Sequence, residues 1–144
     1  MNEAIIQDEV FGALRFDERA RSYETTLQFT PEHSITVTID SMGIAANEAL
    51  KKAREIYNTM VRREHEYRRA AASRLLDLYN KSWRDGEALD TDGFMRRLSV
   101  SSISIAPLDL AATLYYADGG LFAGHLIEVF LDTGFSFSNA QLVG

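Results

Sequence analysis

The sequence contains no cysteine, and this absence excludes several kinds of site. Without a thiol the chain can form no disulfide, no zinc site with thiolate ligands and no cysteine nucleophile. Histidine is also scarce, because His33, His65 and His125 are the only three and none belongs to a His-x-x-x-His pair. The sequence therefore predicts no metal site, and we expect no cofactor.

Long apolar runs are missing as well. No segment approaches the roughly 20 apolar residues that a helix needs to span a membrane. The first nine residues are acidic, whereas a signal peptide would be basic at this end. We therefore expect a cytoplasmic protein that makes no membrane contact.

The net charge of -6 conceals an uneven distribution of charged side chains. Residues 48–84 carry ten basic side chains against five acidic ones, while residues 1–47 carry three against eight and residues 85–144 two against eight. A basic segment between acidic flanks has two interpretations. Either the oppositely charged segments attract one another within the fold, or they form a surface with one basic and one acidic region that steers a charged partner.

The first half of the sequence predicts strands followed by helix. With 144 residues, 46% of them apolar, residues 1–144 suffice for a single domain with one core. Residues 10–16, 23–29 and 35–39 have the features of strands, including period-2 alternation, and predict a three-stranded antiparallel meander. Apolar residues then recur at helical spacing from Ala46 to Trp83, which fits either one long helix or two consecutive helices. A short third helix is predicted over residues 92–98, with Thr91 as its N-cap.

The C-terminal third predicts a four-stranded antiparallel meander, which makes the fold class α+β. Turns at residues 118–120 and 132–134 separate its later strands. The two central strands, residues 110–116 and 126–131, are apolar at both odd and even positions, which predicts that both faces of this sheet are covered. The helices, the N-terminal meander or another copy of the chain are the candidates for covering the second face.

Five polar or aromatic residues form the candidate ligand or partner site, and no catalytic residue is predicted. His125 and Glu128 stand three apart on a strand, so their side chains point to opposite faces and do not easily converge. The glycines after Asp118 fit a hairpin turn better than a phosphate loop, because the segment opens a strand and not a helix. Trp83 is predicted to anchor the core. The candidate site residues are Asn80, Trp83, Asp118, His125 and Glu128.

A cluster of arginines surrounds His65 in the helical segment. Arg62, Arg63, Arg68 and Arg69 are interleaved with Glu64 and Glu66. Interleaved acids and an acidic chain oppose binding to a phosphate backbone, so a solvated helix face is predicted and nucleic acid is not expected as a partner.

Several segments together resemble the bacterial domain-of-unknown-function family 2262. The most specific is Asp-Gly-x-Leu-Phe-x-Gly-His-x-Ile-Glu-Val at residues 118–129, and the similarity extends over nearly the whole chain. The resemblance also rests on residues 71–83 with Asn80 and Trp83, on Phe11-Gly12-x-Leu14 and on the closing Ala140-x-Leu142-x-Gly144. It implies one intact domain with nothing missing at either end. Because this family has no established activity, the resemblance implies no catalytic role for Asp118, His125 or Glu128.

Three hypotheses about function follow. The first is a non-enzymatic protein-binding module, immunity-like or regulatory, with a protein partner or a homodimer through the sheet. Its analogy to immunity proteins is one of size and acidity. The alternative is a hydrolase or small-ligand-binding enzyme with a site near Asp118 and His125, and the third is nucleic-acid binding through the arginines around His65.

Overall fold

Eight strands form one sheet in which every strand lies beside its neighbour in the sequence. The structure is a computed structural model that describes residues 4–144. All neighbouring strands are antiparallel except β4 and β5, which are parallel. The strands are β1 Ala4–Asp8, β2 Gly12–Asp17, β3 Ser22–Thr30, β4 His33–Asp40, β5 Ser99–Ala106, β6 Ala111–Ala117, β7 Leu126–Leu131 and β8 Phe137–Val143.

The parallel pairing of β4 with β5 joins the two predicted meanders into a single sheet. Ile39 lies beside Ile105, and Val37 lies beside Ile103. The prediction of separate N-terminal and C-terminal sheets was therefore wrong, although the class α+β is confirmed. A parallel pair needs a long crossover, here the helical residues between the two strands, and such a non-local contact leaves no signal in either strand's own pattern.

The N-terminal part contains one strand more than predicted. The predicted strand over residues 10–16 starts only at Gly12, because the Asp8 carboxylate accepts hydrogen bonds from the backbone N–H groups of Val10 and Phe11 and forms a turn there. That turn connects β2 to β1, which was not predicted. Ile5 in β1 is 60% exposed, so this edge strand has little of the alternation that marks a half-buried strand.

The crossover contains one long helix, which decides between the two helical alternatives. Helix α1 is Ala46–Leu78, and it continues into a π-helical turn, Tyr79–Trp83. Alanines at 49, 53, 71 and 72 on its buried face let the helix lie close to the sheet. Although α1 is 33 residues long, neither it nor any other helix in residues 4–144 is apolar enough to cross a membrane.

The short helix α2, Thr91–Arg97, is capped by a different residue from the one predicted. Asp90 is the N-cap, and its Oδ1 accepts a 2.7 Å hydrogen bond from the backbone N–H of Gly93. Thr91 is already the first helical residue. Both side chains favour N-cap positions, and the sequence alone placed the boundary one residue late.

The sheet is buried on one face only. Leu114, Tyr116, Ile127 and Val129 are fully buried on the inner face, toward the helices. The side chains that alternate with them on β6 and β7 are half-buried, with Leu126 exposed. Within residues 4–144 neither the helices nor the N-terminal strands cover this second face, so its covering by another copy of the chain stays a prediction. The outward-facing aromatic and apolar residues of these two strands, Tyr115, Leu126 and Phe130, therefore lie on a half-buried to exposed outer face.

Candidate binding surfaces

Asp118 organises the connection between β6 and β7. Its carboxylate, only 4% exposed as a residue, accepts hydrogen bonds from the backbone N–H groups of Gly120, Phe122 and Gly124 at 2.9, 2.7 and 3.0 Å. The predicted short hairpin is instead a loop over residues 118–125, which inserts Leu121 and Phe122 into the core. With both oxygens occupied by backbone donors, Asp118 is positioned to hold the loop and not a ligand.

Trp83 and His125 are brought together at the end of this loop. Their ring centroids lie 5.8 Å apart in an edge-to-face arrangement, and Trp83 makes a similar contact with Phe122 at 5.5 Å. Trp83 is 37% exposed. It therefore lies at the margin of the core, and the prediction that it anchors the core was wrong. The C-terminal Gly144 lies beside the His125 imidazole.

Asn80 has a different task from Trp83, although both belong to the π-helical turn. Its side-chain amide donates to the carbonyl of Leu89 and accepts from the Leu89 N–H, both at 3.0 Å. This pair of bonds imitates a backbone ladder and fixes the segment between the two helices. Both ends of the Asn80 amide are thus hydrogen-bonded to Leu89 and not to Trp83 or His125.

Glu128 lies on the other side of the sheet from His125, as strand parity predicts. Glu128 Oε2 accepts a 2.8 Å hydrogen bond from the Tyr115 hydroxyl, and its Oε1 accepts a 2.9 Å bond from the Gln141 amide. The hydrogen bond to Glu128, together with burial, raises the pKa of Tyr115 above its usual value. Of the five candidate residues, Trp83, Asp118 and His125 therefore share one loop region, while Asn80 and Glu128 lie apart from it.

The uncovered side of strands β5 to β8 forms a continuous surface, which we call the outer face. Its two rows follow the strand register. The rows combine small hydroxyl side chains with aromatic and amide groups, and Glu128 is the one ionisable carboxylate in them. The first row is Ser102, Tyr115, Glu128 and Gln141, and the second is Ser104, Thr113, Phe130 and Asn139.

The arginines around His65 do not form one solvated face. Arg68 is held by Glu64 through bonds of 3.1 and 3.2 Å, and Glu64 also accepts a 2.8 Å bond from the hydroxyl of the fully buried Tyr116. Burial, and then the neighbouring Glu64, raise the pKa of Tyr116 far above its usual value. The prediction of a solvated face was therefore wrong for Arg68, whose charge is used inside the fold.

Arg63 also departs from that prediction. It pairs with Glu66 at 3.1 Å and donates to Gly134 and Ser136 in the turn between β7 and β8. Of the four arginines, Arg62 and Arg69 are exposed, whereas Arg63 and Arg68 are half-buried. The four side chains accordingly point into different environments and do not combine into a single free basic patch.

A cleft that the sequence did not predict lies between the β3–β4 turn and the junction of α2 with β5. Its volume is about 340 Å³, and Arg68, Arg96 and Arg97 line it together with His33. A smaller neighbouring cleft of about 310 Å³ shares Arg68 and Arg96. One feature of the sequence could have indicated this cleft. Arg96 and Arg97 are adjacent, and they are the only arginine or lysine residues in the acidic segment 85–144. No group of three or more potential metal ligands occurs anywhere in residues 4–144.

Comparison with known proteins identifies the family. A family model described as an uncharacterized protein conserved in bacteria, DUF2262, matches residues 8–142. The chain belongs to this family. The DUF2262 match runs from the last residue of β1 to within β8, so it includes the Asp118 loop, the outer face and the arginine-lined cleft. No curated protein and no solved structure is significantly similar to the chain.

Proposed function

We propose that this DUF2262 protein is a non-enzymatic protein-binding module, immunity-like or regulatory, whose partner docks on the outer face. The observation that carries the proposal is that nothing in residues 4–144 covers this face of β5 to β8, while the hydrogen-bonded row Tyr115–Glu128–Gln141 orders its side chains. A cytoplasmic location belongs to the same proposal.

The chemistry of the outer face supports a protein partner. Tyrosine and phenylalanine are favoured at protein interfaces, because they contribute a large contact area at a low cost in conformational entropy. Here Tyr115 is fixed by Glu128, so it loses little further freedom when a partner binds. Its neighbours Ser102, Ser104 and Thr113 have short side chains, so they leave the Tyr115 ring accessible. Their hydroxyl groups supply hydrogen-bond donors and acceptors.

The enzymatic alternative near Asp118 and His125 has less support. General acid–base chemistry needs a carboxylate or imidazole whose proton-transferring atom can reach a substrate. The Asp118 oxygens already accept three backbone N–H groups, and Glu128 is on the opposite side of the sheet. Three clefts of the described chain are lined by other residues. The enzymatic alternative therefore stays a prediction, and none of these three clefts contains Asp118 or His125.

The proposal is tested by photo-crosslinking in the native bacterium. Thr113 on the outer face is replaced by p-benzoylphenylalanine, and Ser73 on the exposed side of α1 is replaced in the matched control. We expect a crosslinked product of defined mass from position 113 and none from position 73. The partner is then purified, and its affinity for wild type, Tyr115→Ala and Glu128→Arg is measured.

The result expected is that both outer-face substitutions weaken binding by tenfold or more, about the loss of one interface hot spot. A folded Thr113 variant that crosslinks to nothing would overturn the proposal. A crosslink only to a second copy of the chain, with a dimer in light scattering that Glu128→Arg dissociates, would replace the separate partner by a homodimer through the sheet.

A further inference from the structure

The arginine-lined cleft combines charge with a defined shape. The β3–β4 turn contributes Glu32, the start of β4 contributes His33, and the end of α2 contributes Arg96 and Arg97, while Arg68 reaches the cleft from α1. Glu32 is the only carboxylate in this lining, and Arg68 is paired with Glu64, so Arg96 and Arg97 provide the positive charge that a ligand can reach. In a chain of net charge -6, this is a local concentration of positive charge that an anion would find favourable.

Two of the three guanidinium groups are fixed before any ligand arrives. Arg68 is held by Glu64 on one side, and its Nη1 donates to the backbone carbonyl of Leu98 at 2.7 Å. Arg97 donates from Nε and Nη2 to the carbonyl of Gly119 at 3.2 and 2.7 Å, which leaves its Nη1 group unused. Groups that are held in place lose little entropy when a ligand binds.

Arg96 differs from its two neighbours because the fold does not use it. Its side chain has no hydrogen bond and no ion pair within residues 4–144. A basic side chain in the last turn of a helix often binds the terminal carbonyl groups. At the end of α2 Arg68 binds these carbonyl groups instead, since it donates to the carbonyls of Met95 and Leu98. A guanidinium with no structural partner therefore lines a cleft next to two that are held in place.

We propose that this cleft binds the phosphoryl group of a small molecule, with Arg96 and Arg97 as its direct ligands. Planar guanidinium groups bind phosphate oxygens through paired hydrogen bonds, and a dianion matches more than one of them better than a single carboxylate does. The volume of about 340 Å³ falls within the range of about 300–1,000 Å³ that is usual for small-molecule sites. Arg68 helps to shape the cleft, while its charge is already paired with Glu64. The proposal is independent of the partner on the outer face.

The test is a titration of the ¹⁵N-labelled full chain with inorganic phosphate, followed by NMR at constant ionic strength. We expect saturable shifts in the amide signals of residues 30, 32, 33 and 96–99 for the wild type. Arg96→Gln should weaken phosphate binding about tenfold, the loss expected for one charged hydrogen bond. Since Arg96 is exposed and makes no contact that the fold needs, this variant should give an otherwise unchanged spectrum.

Arg74→Gln is the matched control, because Arg74 is an exposed arginine of α1 that also has no hydrogen bond or ion pair within the described residues. It should bind phosphate as the wild type does. The proposal is overturned if phosphate causes no saturable shift in the wild type, or if both variants weaken binding equally. Acetate binding as tightly as phosphate would overturn the assignment to a phosphoryl group. Tighter binding of a small phosphate monoester than of free phosphate would support an organic ligand.

Discussion

The hydroxyl of Tyr116 donates a 2.8 Å hydrogen bond to Glu64 Oε2 and so connects strand β6 to the middle of helix α1. Tyr116→Phe removes this bond but keeps the ring in its buried position. Because the acceptor is charged, we expect the free energy of unfolding to fall by about 2 kcal/mol. Urea denaturation followed by circular dichroism measures this loss. An unchanged midpoint would contradict it, and Tyr115→Phe is the comparison at the half-exposed outer face.

The same bond predicts a dependence on alkaline pH. The pKa of Tyr116 is raised in the folded protein, so its stabilising effect is complete below the unfolded tyrosine pKa of about 10 and is lost as the pH rises beyond that value. Tyr57 and Tyr67 are shifted in the same direction by burial. Stability should therefore fall above pH 10 in the wild type, and less steeply in Tyr116→Phe.

Asp8 predicts a loss of stability at acid pH, whereas Tyr116 predicts one at alkaline pH. Burial opposes ionisation of this carboxyl, but hydrogen bonds from the backbone of Phe11 and Val10 and from Arg54 outweigh it and lower the pKa. Its contribution is therefore present above the unfolded pKa of about 3.9 and is lost as the pH falls through the lower folded value. Asp8→Asn should cost about 2 kcal/mol at pH 7. The stability difference between variant and wild type should shrink below pH 4, and a difference independent of pH would refute this explanation.

Local patterns in the sequence predicted the strands and helices better than their arrangement. Period-2 alternation located β3 and β4 because both strands bury alternate side chains in the core. The edge strand β1 was missed because it buries little, and the parallel pair β4–β5 was missed because the partners are far apart in the sequence. For the candidate site, strand parity correctly predicted that His125 and Glu128 lie on opposite sides of the sheet. The arginine-lined cleft was not predicted, because its residues come from α1, α2 and the β3–β4 region, which are far apart in the sequence.

Gly119 and Gly124 provide a matched pair of substitutions in the Asp118 loop. Both have positive φ, at +59° and +86°, so alanine at either position costs about 1–2 kcal/mol in backbone strain. At Gly119 a Cβ atom would also lie 2.2 Å from the backbone oxygen of Arg97, whereas at Gly124 it would meet nothing within 4 Å. We expect Gly119→Ala to be more destabilising than Gly124→Ala in thermal unfolding. Equal losses of stability in the two variants would show that backbone strain alone, and not the clash with Arg97, causes the destabilisation.

The contact between Trp83 and His125 can be followed by fluorescence, because Trp83 is the only tryptophan in the chain. His125→Ala removes one ring that packs edge-to-face against the indole, at a cost of about 1 kcal/mol. Trp83 is already 37% exposed, so the substitution should expose it further and shift its emission to longer wavelength. Phe122→Leu is the comparison, since Phe122 is fully buried and also packs against Tyr79 and Phe94. It should cost more, about 2 kcal/mol, because it leaves space in the core. If His125→Ala were as destabilising as Phe122→Leu, His125 would belong to the core itself and not to its margin.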